Sequence, residues 1–368
     1  MHILESRFEP NGTETKRPLV LLLHGFPEVA YSWRKQMLPL AQAGFYVVAP
    51  DQRGYGRTTG GDTAFEGDWQ SCRLLNLVRD LLFLVHALGR GHVDSVIGHD
   101  FGSPVAAWSA LSRPDIFHSV MMLSAPFAGA PDTPFGVPSR SHAAENSFQR
   151  MTRIVKELQT LTPARQHYQW YYSGPDANRD MRDCPQGLHD FLRAYYHVKS
   201  ADWSGNQPFA LQGATAQELA KLPLYYVMNL DSNMAETVAQ HIPSPSAIAD
   251  CHWLPDDELS VSVREYARTG FQGGLQWYRC STDIHQFEEL ALFSGRRIEV
   301  PSAFVAGESD WGIFQSPGAF EKMKSQSCTA LLMCKQIEGA GHWVQQEQPE
   351  AITASILEFL AACGADNG

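Results

Sequence analysis

Asp100 stands in Val96-Ile97-Gly98-His99-Asp100-Phe101-Gly102-Ser103, between a short apolar run and a stretch with helical spacing. A Gly-x-Asp-x-Gly pentapeptide in that setting has the form of a nucleophile elbow, a sharp strand-to-helix turn that lifts one side chain clear of a sheet. Serine is the usual occupant. An aspartate there would attack with a carboxylate and form an alkyl ester, which must then be hydrolysed. Such chemistry suits strained or activated sp³ carbons, as in epoxides and alkyl halides. It suits amide or ester cleavage poorly. Taken alone, the pentapeptide also fits a turn aspartate bonded to its own backbone.

An elbow of this kind requires an acid and then a histidine later in the chain. His342, in Gly341-His342-Trp343, follows the last apolar run and precedes the final helical stretch. Asp310 lies in Ala306-Gly307-Glu308-Ser309-Asp310, just past the preceding run. His342 would deprotonate a water for attack on the ester, and Asp310 would fix its tautomer and stabilise the imidazolium. Glu308 and Asp132 are the other candidates for the acid. His24-Gly25-Phe26-Pro27-Glu28 follows the first apolar run. The backbone amides of Phe26 and Phe101 would both point at the nucleophile and stabilise the oxyanion of ester hydrolysis. The plain alternative for that segment is a strand-ending turn.

The flanking patterns supply elements to hold these groups. Leu19 to Leu23 and Tyr46 to Ala49 are continuous apolar runs of strand length, as in parallel strands buried on both faces. Val93 to Ile97 and Val120 to Leu123 read as further strands. Tyr31 to Gln42 reads as a helix, and Leu74, Val78, Leu81, Val85 and Leu88 keep helical spacing up to Gly89. Val105, Ala106, Trp108, Ala110 and Leu111 form the helix after Asp100, stopped at Arg113-Pro114. Strands alternating with helices predict a mostly parallel, doubly wound α/β sheet. The alternation breaks after Pro126, and Ala128 to Pro138 reads as a linker. Residues 141–285 read as an inserted helical cap. The sheet pattern resumes at Ile298 to Ala306 and Ala330 to Ile337, followed by a helix over Pro349 to Leu360. The expected organisation is a core of residues 1–140 and 286–368, split by the cap.

Composition narrows the class. The chain has 368 residues, 44% of them hydrophobic, which is ample for a large core. Its formal net charge of −11, without runs of like charge, argues against a nucleic-acid partner. Seven cysteines, an odd number with no Cys-x-x-Cys, suggest neither a zinc site nor a disulfide framework, and read as reduced thiols in a cytoplasmic protein. No signal peptide and no bilayer-spanning run are visible. Asn11-Gly12-Thr13 reads as a turn rather than a glycosylated site. Gly54-Tyr55-Gly56 lacks the third glycine of a dinucleotide fingerprint, and no His-Glu-x-x-His occurs. No cofactor and no metal are expected. A homodimer is one assembly open to the chain.

The motifs together carry a resemblance. His24-Gly25-Phe26-Pro27-Glu28 with Tyr31-Ser32-Trp33-Arg34, Gly98-His99-Asp100 and Gly341-His342-Trp343 resemble the α/β-hydrolase-fold epoxide hydrolases, most of all the soluble group. Gly270-Phe271-Gln272-Gly273-Gly274-Leu275-Gln276-Trp277-Tyr278-Arg279 resembles the segment that carries one ring-opening tyrosine, which falls on Tyr278. His167-Tyr168-Gln169-Trp170-Tyr171-Tyr172 resembles the segment that carries the other, which falls on Tyr168, with Tyr171 and Tyr172 as close competitors. The similarity runs from about Leu19 to Leu360. It implies hydrolysis of an organic epoxide to a vicinal diol, with two phenols aimed at the ring oxygen and water as co-substrate. It also implies a cis Phe26-Pro27 bond and substrate contacts from Phe101, Gln169 and Trp343. The elbow and histidine motifs are shared with dehalogenases, the first rival reading; a non-catalytic binding protein on the same scaffold is the second. Two departures stand out. Phe101 replaces the tryptophan that usually follows the nucleophile, which argues mildly against dehalogenation. The stretch Asp202 to Asp256 makes the cap long, and Pro223, Pro243, Pro245 and Pro255 should leave it partly irregular and free to shape substrate choice.

Overall fold

A computed structural model describes residues 1–7, 17–131 and 147–365. Seven strands form the main sheet: β1 (Ile3–Ser6), β2 (Leu19–Leu23), β3 (Tyr46–Pro50), β4 (Ser95–His99), β5 (Val120–Leu123), and, after a two-stranded sheet of β6 (Arg165–His167) and β7 (Val227–Asn229), β8 (Ser302–Gly307) and β9 (Leu331–Ile337). The order is β1-β3-β2-β4-β5-β8-β9. Every pairing is parallel except β1 with β3. Strands β2 to β5 and β8 are buried along their whole length, as continuous apolar runs require. Two apolar clusters fill the two faces. Leu21, Val96 and Val120 belong to one, and Val20, Ile97 and Met121 to the other. Truncating one of these to alanine should cost about 2–5 kcal/mol.

The chain passes from β2 outward to β3 and returns to β4 on the other side of β2. Strand order therefore reverses between β2 and β4, and the crevice at their C-terminal ends is where an open α/β sheet binds ligands. Leu23 pairs with Gly98, so the loop after β2 and the turn after β4 leave the sheet side by side.

The structure moves several expected boundaries. β4 begins at Ser95, which pairs with β2, and continues through His99, which pairs with β5; Val93 makes only an isolated bridge to Phe117. The helix expected from Tyr31 opens as a tight turn, Ala30–Trp33, before the α-helix Arg34–Gln42. β1 is a half-buried edge strand too short and mixed for its pattern to register. β6 and β7 have three residues each, too few for periodicity, in a segment that reads as wholly helical.

Between β5 and β8 the described residues are mostly short helices. The segment Asp202 to Asp256 is largely turns around Ala216–Leu219, Met234–Ala239 and Pro245–Asp250, with Pro245 opening the last of these helices. The expected boundary near 140, most of the linker, Asp132 and Asn11-Gly12-Thr13 lie outside the described residues. The helix Ile284–Ala291 runs across the expected boundary near 286. Among the described residues no helix is long and apolar enough to cross a membrane.

Candidate active site

Asp100 follows β4 directly and heads the helix Gly102–Ser112. Its φ of +51° is left-handed, a conformation aspartate tolerates better than most residues. The turn works only if its neighbours come very close. A Cβ on Gly25 would lie 2.3 Å from Asp100 Oδ1, so only glycine lets the loop after β2 meet the Asp100 side chain. Phe26 N–H donates to Asp100 Oδ1 at 2.8 Å, and Phe26-Pro27 is cis. Phe101 holds the cap position of the helix, where the first amides have no partner within the helix.

His342 comes from the loop after β9, and Asp310 from the turn after β8. His342 Nδ1 lies 3.1 Å from Asp310 Oδ1, which also accepts from Gly312 N–H at 2.7 Å. On the other side of the ring, Nε2 lies 3.3 Å from Asp100 Oδ2 without an aligned hydrogen bond. Asp310 is buried and Glu308 is exposed, so of these two the geometry brings only Asp310 to the imidazole.

Burial by itself would raise the Asp100 carboxyl, but His342 and the Lys199 ammonium hold it well below the usual carboxylate range. Burial and Lys199 depress His342, but Asp310 and Asp100 outweigh them and lift it to about 9. At neutral pH the Asp100 carboxylate therefore lies ionised beside a His342 imidazolium. This has a consequence for stability. His342 is raised in the folded chain, so its contribution is full below its ordinary value near 6.5 and is lost as pH rises through about 9. The melting temperature of the parent chain, relative to His342→Gln, should fall between those pH values. A constant difference across that window would contradict this charge assignment.

Tyr278 lies on the helix Gln272–Ser281 and Tyr168 opens the helix Tyr168–Tyr172; both are buried. Their ring centroids are 5.8 Å apart, and Tyr278 meets Phe101 at 5.0 Å and Phe26 at 5.4 Å. Burial pushes both phenols up, so they stay protonated donors. The Tyr168 hydroxyl donates to Gln315 Oε1 at 3.1 Å, and Gln169 Nε2 lies 3.4 Å from the same oxygen. Of the competitors, Tyr171 is tied to Asp180 Oδ2 at 3.0 Å, and the Tyr172 hydroxyl pairs with that of Tyr195 at 3.2 Å.

One expected substrate contact needs correcting. Trp343 has no exposed surface: its indole N–H donates to the Tyr196 carbonyl at 2.8 Å, and its ring packs on His342 at 4.7 Å. A buried indole needs an acceptor and finds one in the Tyr196 carbonyl, so Trp343 packs against the histidine and offers no surface to a substrate.

Groups that no motif singles out complete the site. His99 bridges Glu28 Oε2, 2.7 Å from its Nδ1, to the His342 carbonyl, 2.7 Å from its Nε2. Burial works against ionisation of Glu28, but His99 outweighs it and lowers the carboxyl. Gln345 and Gln346 each donate to Glu28 Oε1 at 2.9 Å. Glu347 accepts from Gly341 N–H at 2.8 Å, Trp343 N–H at 2.9 Å and Ala201 N–H at 2.8 Å. The His342 N–H donates to the Lys199 carbonyl at 2.8 Å. A Cβ on Gly341 would lie 2.5 Å from that same carbonyl oxygen, so glycine is needed where the histidine loop meets the cap. Among the described residues no group of three or more His, Cys, Asp or Glu side chains is arranged to hold a metal ion. A separate apolar cavity of about 320 Å³ lies in the cap, lined by Val198, Trp203, Leu222, Tyr225 and Val238 among others, and includes none of the residues above.

Residues 18–349 match the α/β-hydrolase fold family. Epoxide hydrolase A of Mycobacterium tuberculosis is 32% identical over 94% of this chain and 91% of its own length. The chain belongs to the epoxide hydrolases of the α/β-hydrolase fold. Solved structures of such hydrolases superpose along nearly its full length. An epoxide hydrolase from an endophytic Streptomyces aligns with a TM-score of 0.74 at 29% identity, covering 100% of this chain and 93% of its own. A laboratory-evolved variant of potato epoxide hydrolase aligns at 0.72 and 28%, covering 98% and 95%. In this hydrolase, then, Asp100 lies against the His342 imidazole, and the residue after it, Phe101, packs on Tyr278, which packs on Tyr168.

Proposed function

We propose that this epoxide hydrolase converts an organic epoxide to a vicinal diol through a covalent ester on Asp100. Asp100 Oδ1 is already held by the Phe26 amide, so Oδ2 is the oxygen that attacks a ring carbon. The carbon–oxygen ring bond breaks as the new carbon–oxygen bond forms. Charge develops on the former ring oxygen, where the Tyr278 and Tyr168 phenols stabilise it and one gives up its proton. The ester neutralises Asp100, which removes one of the two carboxylates that hold the proton on His342. His342, oriented by Asp310, then serves as base for a water that attacks the ester carbonyl carbon. The oxyanion on Oδ1 meets the Phe26 and Phe101 amides, and its collapse releases the diol and restores the carboxylate.

The observation that carries this reading is the packing of Tyr278 on Phe26 and Phe101 beside Asp100, with Tyr168 packed on Tyr278. Carboxylate attack on an alkyl halide needs no proton donor; opening an epoxide does. Tyr278→Phe should slow ester formation from an epoxide by about 10²–10³-fold. Tyr168→Phe should act likewise, and the double variant should be nearly inactive. Pre-steady-state alkylation with an epoxide and with an activated alkyl halide makes the test. Equal losses on both substrates would assign the tyrosines to packing.

Two coarser expectations join the proposal. None of the seven cysteines forms a disulfide, which supports a cytoplasmic placement. The helical elements between β5 and β8 support a cap over the crevice, with the core on either side of it in sequence. The irregular stretch Asp202 to Asp256 is the part we assign to substrate choice.

A further inference from the structure

Lys199 is a lysine in the interior whose charge no acceptor answers. It is buried, and among the described residues its ammonium has neither an ion pair nor a hydrogen bond. Aromatic rings surround it instead. Its Nζ lies 4.9 Å from the ring centroid of Tyr226, 5.1 Å from Tyr195, 5.7 Å from Tyr225, 5.8 Å from Tyr168 and 5.9 Å from Trp343. Ring faces attract a cation without neutralising it, and do so more strongly when water is excluded. A carboxylate partner would cancel the charge locally, whereas a cage of rings leaves its field intact.

The cage adjoins the reacting groups. Tyr168 is one of its walls and Trp343, packed on His342, is another; the backbone carbonyl of Lys199 accepts from His342 N–H. The charged groups facing Lys199 are Asp100, Asp310 and Glu28, with His342 across from it. We propose that Lys199 is a positioning residue of the reaction: its caged ammonium keeps Asp100 ionised, stabilises the negative charge that develops on the Tyr168 phenol in ring opening, and keeps His342 able to shed its proton for ester hydrolysis.

These effects have one sign of charge behind them. In ring opening, negative charge moves from Asp100 toward the ring oxygen and the phenols, all within the field of the ammonium. In ester hydrolysis His342 must be neutral to act as a base, and a nearby cation disfavours the imidazolium. Esterification removes the Asp100 charge, so the influence of Lys199 on His342 is least opposed in that step. Burial depresses Lys199 while Asp100, Asp310 and Glu28 raise it, with burial prevailing. These carboxylates are what favour its charged form.

This inference rests on the ester mechanism above, and the test separates the two. Single-turnover alkylation and ester hydrolysis are followed across pH for the parent, Lys199→Met and Lys199→Arg, with intact-mass detection of the ester. Lys199→Met should alkylate about tenfold more slowly, and the acid limb of its ester hydrolysis should move up by about one pH unit. Lys199→Arg should leave that limb in place. A limb unmoved in Lys199→Met overturns the proposal, since a purely structural role would lower rates without shifting a midpoint. Absence of any ester in the parent would instead overturn the ester mechanism. Should Lys199→Met fail to fold, ε-¹³C-lysine NMR asks the same question of the parent and of Asp100→Asn. The ring-shifted Lys199 signal, identified by its loss in Lys199→Arg, should titrate at lower pH when the Asp100 charge is gone. Identical titration in both would overturn the proposal.

Discussion

Asp100→Ala is expected to show no turnover of any epoxide, a loss of roughly 10⁴-fold or more, because the variant has no group to form the ester. Among the described residues the neighbouring carboxylates are otherwise engaged: Asp310 is committed to His342 and Gly312, and Glu28 to His99 and two glutamines. The parent chain should reveal the same residue by isotope transfer. In a single turnover in ¹⁸O-labelled water, the first diol should carry unlabelled oxygen from Asp100, and the label should enter the protein. Label appearing directly in that first diol would mean that water attacks the epoxide without an ester.

His342→Gln separates the two halves of the reaction. The variant keeps Asp100 and both tyrosines, so it should still form the ester and then stop. Intact-protein mass spectrometry should show an adduct of one substrate mass that persists, and that is absent from Asp100→Ala. Steady-state turnover should fall by about 10⁴-fold or more, the scale seen when one member of a catalytic set that acts as a unit is removed. Full turnover by this variant would take His342 out of the mechanism. Ester formation itself should slow as well, since His342 is one of the groups that hold Asp100 ionised.

What could be read from the sequence was local. The Asp100 elbow, the apolar runs beside it and the loop of His342 each fall within a few consecutive residues, and each took the expected place in the fold. Asp310 and Glu308 are two residues apart in one loop, and spacing could not separate them; one faces the imidazole and the other faces solvent. The tyrosines posed the same problem, because Tyr168, Tyr171 and Tyr172 share one short helix, with Tyr168 and Tyr172 on the same face against Tyr278. Glu28 and His99 were hidden for another reason. They are 71 residues apart and join only because β2 and β4 are neighbours in the sheet, while His99 and the carbonyl it reaches are 243 residues apart. Lys199 lies on an ordinary amphipathic helix, and its ring cage draws on Tyr225, Tyr226 and Trp343 from other elements. Trp343 misled for the opposite reason: a residue adjacent to a reactive one in sequence need not share its pocket.

The histidine loop and the cap are sewn together. His342 N–H donates to the Lys199 carbonyl, Glu347 ties Gly341 and Trp343 to Ala201, and the Trp343 indole holds the Tyr196 carbonyl. Any displacement of the segment Tyr196–Ala201 from the sheet would therefore shift the His342 loop with it. The two parts are consequently not interchangeable modules. A chimaera that borrowed the corresponding helices of a relative to gain a new substrate would also inherit a different mounting for His342, unless the helix end and turn around Lys199 and Ala201 came with the native histidine loop as one piece.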